Sequence, residues 1–212
     1  MGSIRKGRRR YYDVFSKYYD AFVRLHSRRE GNATRELLAR EIESSKIEHP
    51  LVLDVCCGTG EVILALAGRI RCRFLVGCDF SHGMLLRAKE KFGILNAYLV
   101  EANAFELPFP DNVFHVITCS HALYELKGMA KEKALREMRR VARPGGMILI
   151  VEHEVPTRLV LKFLFYLRAI SMGSKDAVTF IRGDLELFRV IFPEVLLKHS
   201  TSGRSRLIIC RK

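Results

Sequence analysis

The chain has 212 residues, 49% hydrophobic and 28% charged, so it can bury a sizeable core as one large or two small domains without disulfide or metal staples. That apolar content excludes a disordered chain, and 15 scattered Gly with 6 Pro exclude collagen-like and low-complexity architectures. The 36 Lys and Arg outnumber 23 acids for a formal charge of +13, which raises nucleic acid or an anionic membrane as partners without deciding between them.

The basic excess is +5 over residues 1–50, +3 over 51–150 and +5 over 151–212. A compact run, Arg5, Lys6, Arg8, Arg9 and Arg10, reads as a solvated, frayed terminus. Tyr-Tyr-Asp follows it instead of an apolar stretch, so no signal peptide is expected. Residues 11–48 read as helical, with Phe15, Tyr18, Tyr19, Phe22 and Leu25 at three-to-four spacing. Asn32 or Thr34 offers the cap of a second helix running through Ile42, and His49-Pro50 breaks the pattern.

Apolar strands and helical segments then alternate. Strands are predicted at Leu51–Val55, Arg73–Cys78, Ala97–Val100, Val113–Cys119 and Met147–Val151. Helices are predicted at Glu61–Gly68, His82–Lys91 and Lys131–Val141, the last stopped by Pro144-Gly145-Gly146. This alternation implies a mostly parallel sheet with helices on both faces. Within Thr157–Met172, Leu159, Phe163, Leu164, Leu167 and Ile170 can form one apolar face, fit for core, for a lid over substrate, or for a membrane surface. Nothing reaches the roughly 18 uninterrupted apolar residues of a membrane span. Val195–His199 and Arg204–Cys210 flank a turn-rich connection and predict a hairpin, which puts one antiparallel strand on the sheet. Six cysteines without a CxxC pair read as free thiols in a reducing, cytoplasmic setting, and no metal site is expected.

The informative segment is Asp54-Val55-Cys56-Cys57-Gly58-Thr59-Gly60-Glu61, where an apolar strand ends in an acid and passes through small residues into a helix. Glycines there let backbone approach a ligand closely. A dinucleotide fingerprint fails, because Ile63 stands where the third glycine belongs, and a Walker A pattern fails for lack of Gly-Lys-Ser/Thr. Asp79 ends the second strand, 19 residues after Gly60, where an acid can accept ribose hydroxyls or cap a helix. Glu101-Ala102-Asn103-Ala104 follows the third strand.

In order and spacing these motifs resemble the class I S-adenosylmethionine-dependent methyltransferases over roughly residues 50–152. Leu107-Pro108-Phe109, Arg143-Pro144-Gly145-Gly146 and the duplicated Tyr12-Asp13 and Tyr19-Asp20 are most similar to the ubiquinone/menaquinone-biosynthesis and related small-molecule group. Cys56 departs from the usual first glycine, and Phe114-His115 stands where Phe-Asp is common. The resemblance implies a Rossmann-like α/β fold: a mostly parallel seven-stranded sheet with an antiparallel C-terminal strand. It also implies an N-terminal helical lid over 1–48 belonging to the same domain as a methyltransferase body over 49–212. The implied cofactor is S-adenosylmethionine. Asp54, Cys56, Gly58 and Gly60 would hold its methionine end and Asp79 its ribose. Asn103 would meet the adenine amino group through its carbonyl oxygen, and Tyr19, Phe80, Met84, Ala104 and Ser120 would complete the set.

In-line transfer of an activated methyl needs positioning above all, with a general base only if the acceptor carries a proton. His121 and Tyr124, past the fourth strand, and His153, past the fifth, are the candidates, His121 first. The expected acceptor is a small or lipid-like molecule, with peripheral membrane contact open. An RNA-directed enzyme using the basic flanks is the alternative. It is weakened because Ser120-His121-Ala122-Leu123 replaces the Asn/Asp-Pro-Pro-Tyr/Phe of base-modifying relatives. A non-catalytic cofactor-binding domain is the third reading.

Overall fold

The structure is a computed structural model that describes residues 2–93, 95–126, 129–154, 185–200 and 203–212. In its first helix, side chains are described for residues 7, 9–21, 23 and 31–44. The elements in chain order are α1 (Gly2–Ser44), β1 (Leu51–Val55), α2 (Glu61–Ala67), β2 (Phe74–Asp79), α3 (His82–Phe92) and β3 (Ala97–Glu101). Then come β4 (Phe114–Ser120), a 3-10 turn (Leu123–Glu125), α4 (Met129–Val141), β5 (Ala142–His153), α5 (Glu186–Ile191), β6 (Glu194–His199) and β7 (Ser205–Arg211). The amphipathic stretch expected over Thr157–Met172 lies outside the described residues.

Seven strands form one sheet in the order β3-β2-β1-β4-β5-β7-β6. All pairs from β3 to β5 are parallel, and β7 runs antiparallel to both β5 and β6. The predicted hairpin is therefore present, with Ser200 donating its N–H to Ser205 at 2.8 Å and Gly203 to Ser200 at 3.0 Å. The central strands are buried on both sides, as their near-continuous apolar runs require. Alternate residues of each strand feed opposite cores. Leu53, Ile117, Ile150 and Ile208 pack with Leu135, Met138 and Phe188 on one face. Val52, Val116, Leu149 and Ile209 pack with Leu38, Ile63 and Leu66 on the other. Burying each such side chain is worth roughly 1.5–3 kcal/mol.

Three expectations need correcting. Residues 2–44 form a single helix instead of two. Thr34, expected to cap, donates its hydroxyl back to the Gly31 carbonyl (3.0 Å), and the Asn32 carboxamide oxygen accepts from Arg35 (2.7 Å), so both are satisfied inside a continuous helix. The basic run of residues 5–10 is likewise helical backbone, and Arg9 pairs with Glu101, so the terminus is not frayed there. The helix ends before Lys46 and His49, both at positive φ (55° and 45°). The third difference is at β5, which begins at Ala142. Ala142 pairs with Phe114, the register shifts, and Gly145 (φ 72°) and Gly146 exchange backbone hydrogen bonds with Lys212 past the end of β7.

The sheet order reverses at β1, with β2 on one side and β4 on the other. In an open α/β sheet that switch point, at the carboxyl ends of the strands, is where ligands bind. The helix α1 runs over this end. Its far half buries Leu38, Ala39 and Ile42 against α2 and the sheet. Its near half lies on the first turn of α3. Gly83 makes that approach possible, because a Cβ there would stand 2.7 Å from the Asp13 Cα.

Candidate functional site

Asp54, the penultimate residue of β1, is 1% exposed, and its Oδ1 accepts the Thr118 hydroxyl of neighbouring β4 at 2.7 Å. Its Oδ2 is buried and has no partner among the described residues. Burial pushes the carboxyl up to about 7; the Thr118 hydrogen bond opposes the rise and the nearby Asp79 adds to it. The loop that follows curls through three left-handed residues, Cys56 (φ 59°), Gly58 (φ 52°) and Gly60 (φ 80°). Cys56 thus adopts the conformation a glycine would supply, at the cost of an L side chain in that region. The loop is pinned by the Cys57 N–H to the Cys78 carbonyl (3.0 Å). Gly60 admits no side chain, since a Cβ would lie 2.5 Å from the Phe92 ring.

Asp79, at the end of β2, sits against this loop. Its Oδ2 accepts the Gly58 N–H and its Oδ1 the Ser81 N–H, each at 2.9 Å. Burial lifts its carboxyl to about 6, against the pull of those backbone donors. Ser81 caps α3 by accepting the Met84 N–H at 3.2 Å. Met84 is buried yet belongs to neither hydrophobic core. Asn103 is half-buried and bridges to Glu106 just past β3, while the Ala102 N–H reaches back to the Asp79 carbonyl (2.9 Å). Ala104 differs from the rest, since it is packed into the core on the α4 face.

The duplicated Tyr-Asp pairs of α1 reach into the same region. Asp13 Oδ1 accepts the Ser81 hydroxyl (2.7 Å) and the Gly83 N–H (2.9 Å). Asp20 accepts the Thr59 hydroxyl of the loop (2.7 Å) and pairs with Lys91 (2.6 Å). Tyr12 donates to the Glu125 carboxylate (2.5 and 2.6 Å to its two oxygens) and meets Phe80 edge-on at 5.7 Å. Tyr19 has its hydroxyl pushed up to about 12, first by burial and then by the Glu125 and Asp79 charges. Polar contacts from α1 therefore reach the glycine loop, the α3 cap and the turn after β4.

The three residues proposed for chemistry come together. The rings of His121 and His153 are 4.3 Å apart, and Tyr124 lies 5.5 Å from His153. His121 has left-handed backbone (φ 52°), held by its N–H to the Val151 carbonyl at 2.7 Å. Its Nδ1 is buried without a partner among the described residues. Burial, then His153 and Arg35, hold the imidazole well below the ordinary histidine range, so it is neutral at pH 7. Burial also pushes the Tyr124 phenol up. Ser120, the last residue of β4, is half-buried beside this group.

Glu152 was given no role in the site from the sequence. It is fully buried, and its Oε1 accepts the Leu123 N–H at 3.0 Å, so it holds the 3-10 turn that carries Tyr124 and Glu125. Burial lifts its carboxyl to about 8, with Lys131 and Arg206 pulling the other way. Its only sequence signal was an acid beside a candidate histidine at the end of a strand.

A family model described as a methyltransferase domain matches residues 52–146. The chain is 35% identical over 161 residues to the demethylmenaquinone methyltransferase of Geobacillus kaustophilus, covering 74% of this chain and 67% of that protein. The chain belongs to the class I S-adenosylmethionine-dependent methyltransferases. The demethylmenaquinone methyltransferase of Staphylococcus aureus is 35% identical over 160 residues, 74% of this chain and 65% of its own length. The chain thus spans about two thirds of the length of these curated relatives. A solved S-adenosylmethionine-dependent methyltransferase from Aquifex aeolicus shares the fold, with a TM-score of 0.58 at 16% identity over 82% of this chain and 88% of that one. The protein is accordingly an enzyme whose cofactor is S-adenosylmethionine. Its residues fit that group: Asp54 Oδ2 is a buried acceptor awaiting a donor, and the backbone at Gly58, where an added Cβ would meet nothing within 4 Å, lies beside Asp79.

Proposed function

We propose that this methyltransferase acts on a small, lipid-like acceptor with an aromatic ring of the quinone type. The observation that carries the reading is the half-buried aromatic group of His121, Tyr124 and His153 at the ends of β4 and β5, with Tyr12 against Phe80 nearby. The relatives' demethylmenaquinone methyltransferase names support the same acceptor class. The cofactor, when bound, supplies a methyl group already activated on a sulfonium. In this reading Asp54, Cys56, Gly58 and Gly60 hold its methionine end, Asp79 its ribose, and Asn103 its adenine edge. Tyr19, Phe80, Met84 and Ser120 line the cradle, and residues 1–48 serve as its lid. His121 Nδ1 takes the proton of a ring hydroxyl or ring carbon, since a neutral imidazole with no other partner can accept it. Tyr124 and His153 orient the ring. The protein works in the cytoplasm, in peripheral contact with the membrane that holds such acceptors.

The test is cofactor binding by calorimetry followed by turnover. The intact protein should bind S-adenosylmethionine, and Asp79→Ala should weaken binding by about tenfold or more, the loss of hydrogen bonds to a charged acceptor. A short-chain naphthoquinol should be methylated far faster than phospholipid, free thiol or RNA, and His121→Ala should slow that reaction by roughly 10²-fold or more. Methylation of RNA alone would overturn the acceptor class.

A further inference from the structure

One face of α1 is left unused by the site. Tyr11, Val14 and Tyr18 follow at three-to-four spacing and are 57%, 61% and 66% exposed. At 100° per residue they centre about 180° around the helix from Tyr12, Asp13, Ser16 and Asp20, which are turned inward. Arg10 and Lys17 flank the stripe and are exposed. The two acids of residues 7–23 are both engaged on the inner side, Asp13 by Ser81 and Gly83 and Asp20 by Thr59 and Lys91. The outward face therefore combines tyrosines, an aliphatic residue and cations, with carboxylates withdrawn from it.

We infer that the outward face of α1 is a docking surface for an anionic lipid bilayer. Tyrosine rings suit the headgroup boundary, Val14 can enter the acyl edge, and the cations meet the negative leaflet. Charge complementarity decides the occupant: a second copy of this chain would set Arg10 and Lys17 against each other. An RNA would find exposed cations but no use for Val14. The stripe joins the site through stacked rings, Tyr11 on Phe15 (5.5 Å) and Phe15 edge-on to Tyr19 (5.8 Å). The inference draws its purpose from the lipid-like acceptor proposed above.

The experiment is flotation of the full chain with phosphatidylcholine vesicles containing about one third phosphatidylglycerol, beside pure phosphatidylcholine vesicles. The wild type should float with the anionic vesicles and be released by salt. Val14→Glu/Tyr18→Glu should lose at least about tenfold in partitioning. Arg10→Gln/Lys17→Gln should lose roughly 10- to 30-fold. Both variants should keep wild-type binding of S-adenosylmethionine, which verifies the fold. Equal flotation of wild type and variants would overturn the inference, as would no flotation of the wild type. Self-association that Val14→Glu/Tyr18→Glu abolishes, or RNA retention without vesicle binding, would overturn it too. Vesicle binding is read without turnover, so a failed flotation leaves methylation of a soluble quinol standing, and a failed turnover leaves the docking surface standing.

Discussion

Glu152 is a carboxyl that the fold should prefer protonated, and Glu152→Gln tests this. The side chain is fully buried at the end of β5, and burial lifts it from an ordinary 4.5 to about 8. An acid whose folded pKa is raised leaves stability intact below the unfolded value. Stability then falls as pH rises through the folded value, because the unfolded chain ionises first. The window here is pH 4.5 to 8, and the gap amounts to roughly 5 kcal/mol at most. The cations of Lys131 and Arg206 already act within that value. Glutamine keeps an oxygen to accept the Leu123 N–H and cannot ionise. Urea denaturation with linear extrapolation, run at pH 5 and at pH 8, is the assay. The variant should match the wild type within about 1 kcal/mol at pH 5 and exceed it by about 2–4 kcal/mol at pH 8. A variant that loses stability at pH 8 would refute the argument. It would mean that Glu152 is ionised in the fold and held by Arg206, its cross-strand neighbour in register.

Other substitutions probe the supports of the site. Gly60→Ala puts a Cβ against the Phe92 ring at φ 80°, and left-handed strain plus overpacking should cost about 2–5 kcal/mol, read as a lowered urea midpoint. Tyr12→Phe removes the donor to Glu125, and amide hydrogen exchange over residues 9–23 should quicken by about tenfold while α4 is unaffected. Arg140→Ala removes the guanidinium that binds the Leu107 and Phe109 carbonyls (2.9 and 2.8 Å) together with Asp111 and Glu137. It should cost about 2–3 kcal/mol by the same urea measurement, with cofactor affinity kept, because this cluster lies at the end of the sheet away from Asp54.

The architecture was legible wherever its cause was local. Strands buried on both faces must be apolar throughout, so Leu51–Val55 and Val113–Cys119 stood out between polar helical segments. Asp54 and Asp79 were legible as acids at the ends of such strands, where an apolar run has no local use for a carboxylate. His121, Tyr124 and His153 were legible for the same reason, as polar groups just past the strands flanking the switch point.

What stayed hidden depends on partners far along the chain. The hydroxyl that Asp13 receives comes from 68 residues away and the one Asp20 receives from 39, so the duplicated pairs carried no visible purpose beyond a resemblance. Gly83 looked like any residue of a first helical turn, and only the Asp13 backbone above it explains the missing side chain. Local chemistry even misled at Asn32 and Thr34, which are good caps in isolation. Tertiary contact settled the matter: Arg35 is drawn toward Glu61 at 3.8 Å, and Leu38 and Ile42 are fixed in the core, so fraying the helix at Gly31 would loosen both. A continuous α1 couples those anchored residues to Tyr12, Asp13, Tyr19 and Asp20 through one rigid rod. The contacts of Tyr12 with Glu125, Asp13 with Ser81 and Gly83, and Asp20 with Thr59 therefore all hang on the same helix that Leu38 and Ile42 anchor in the core.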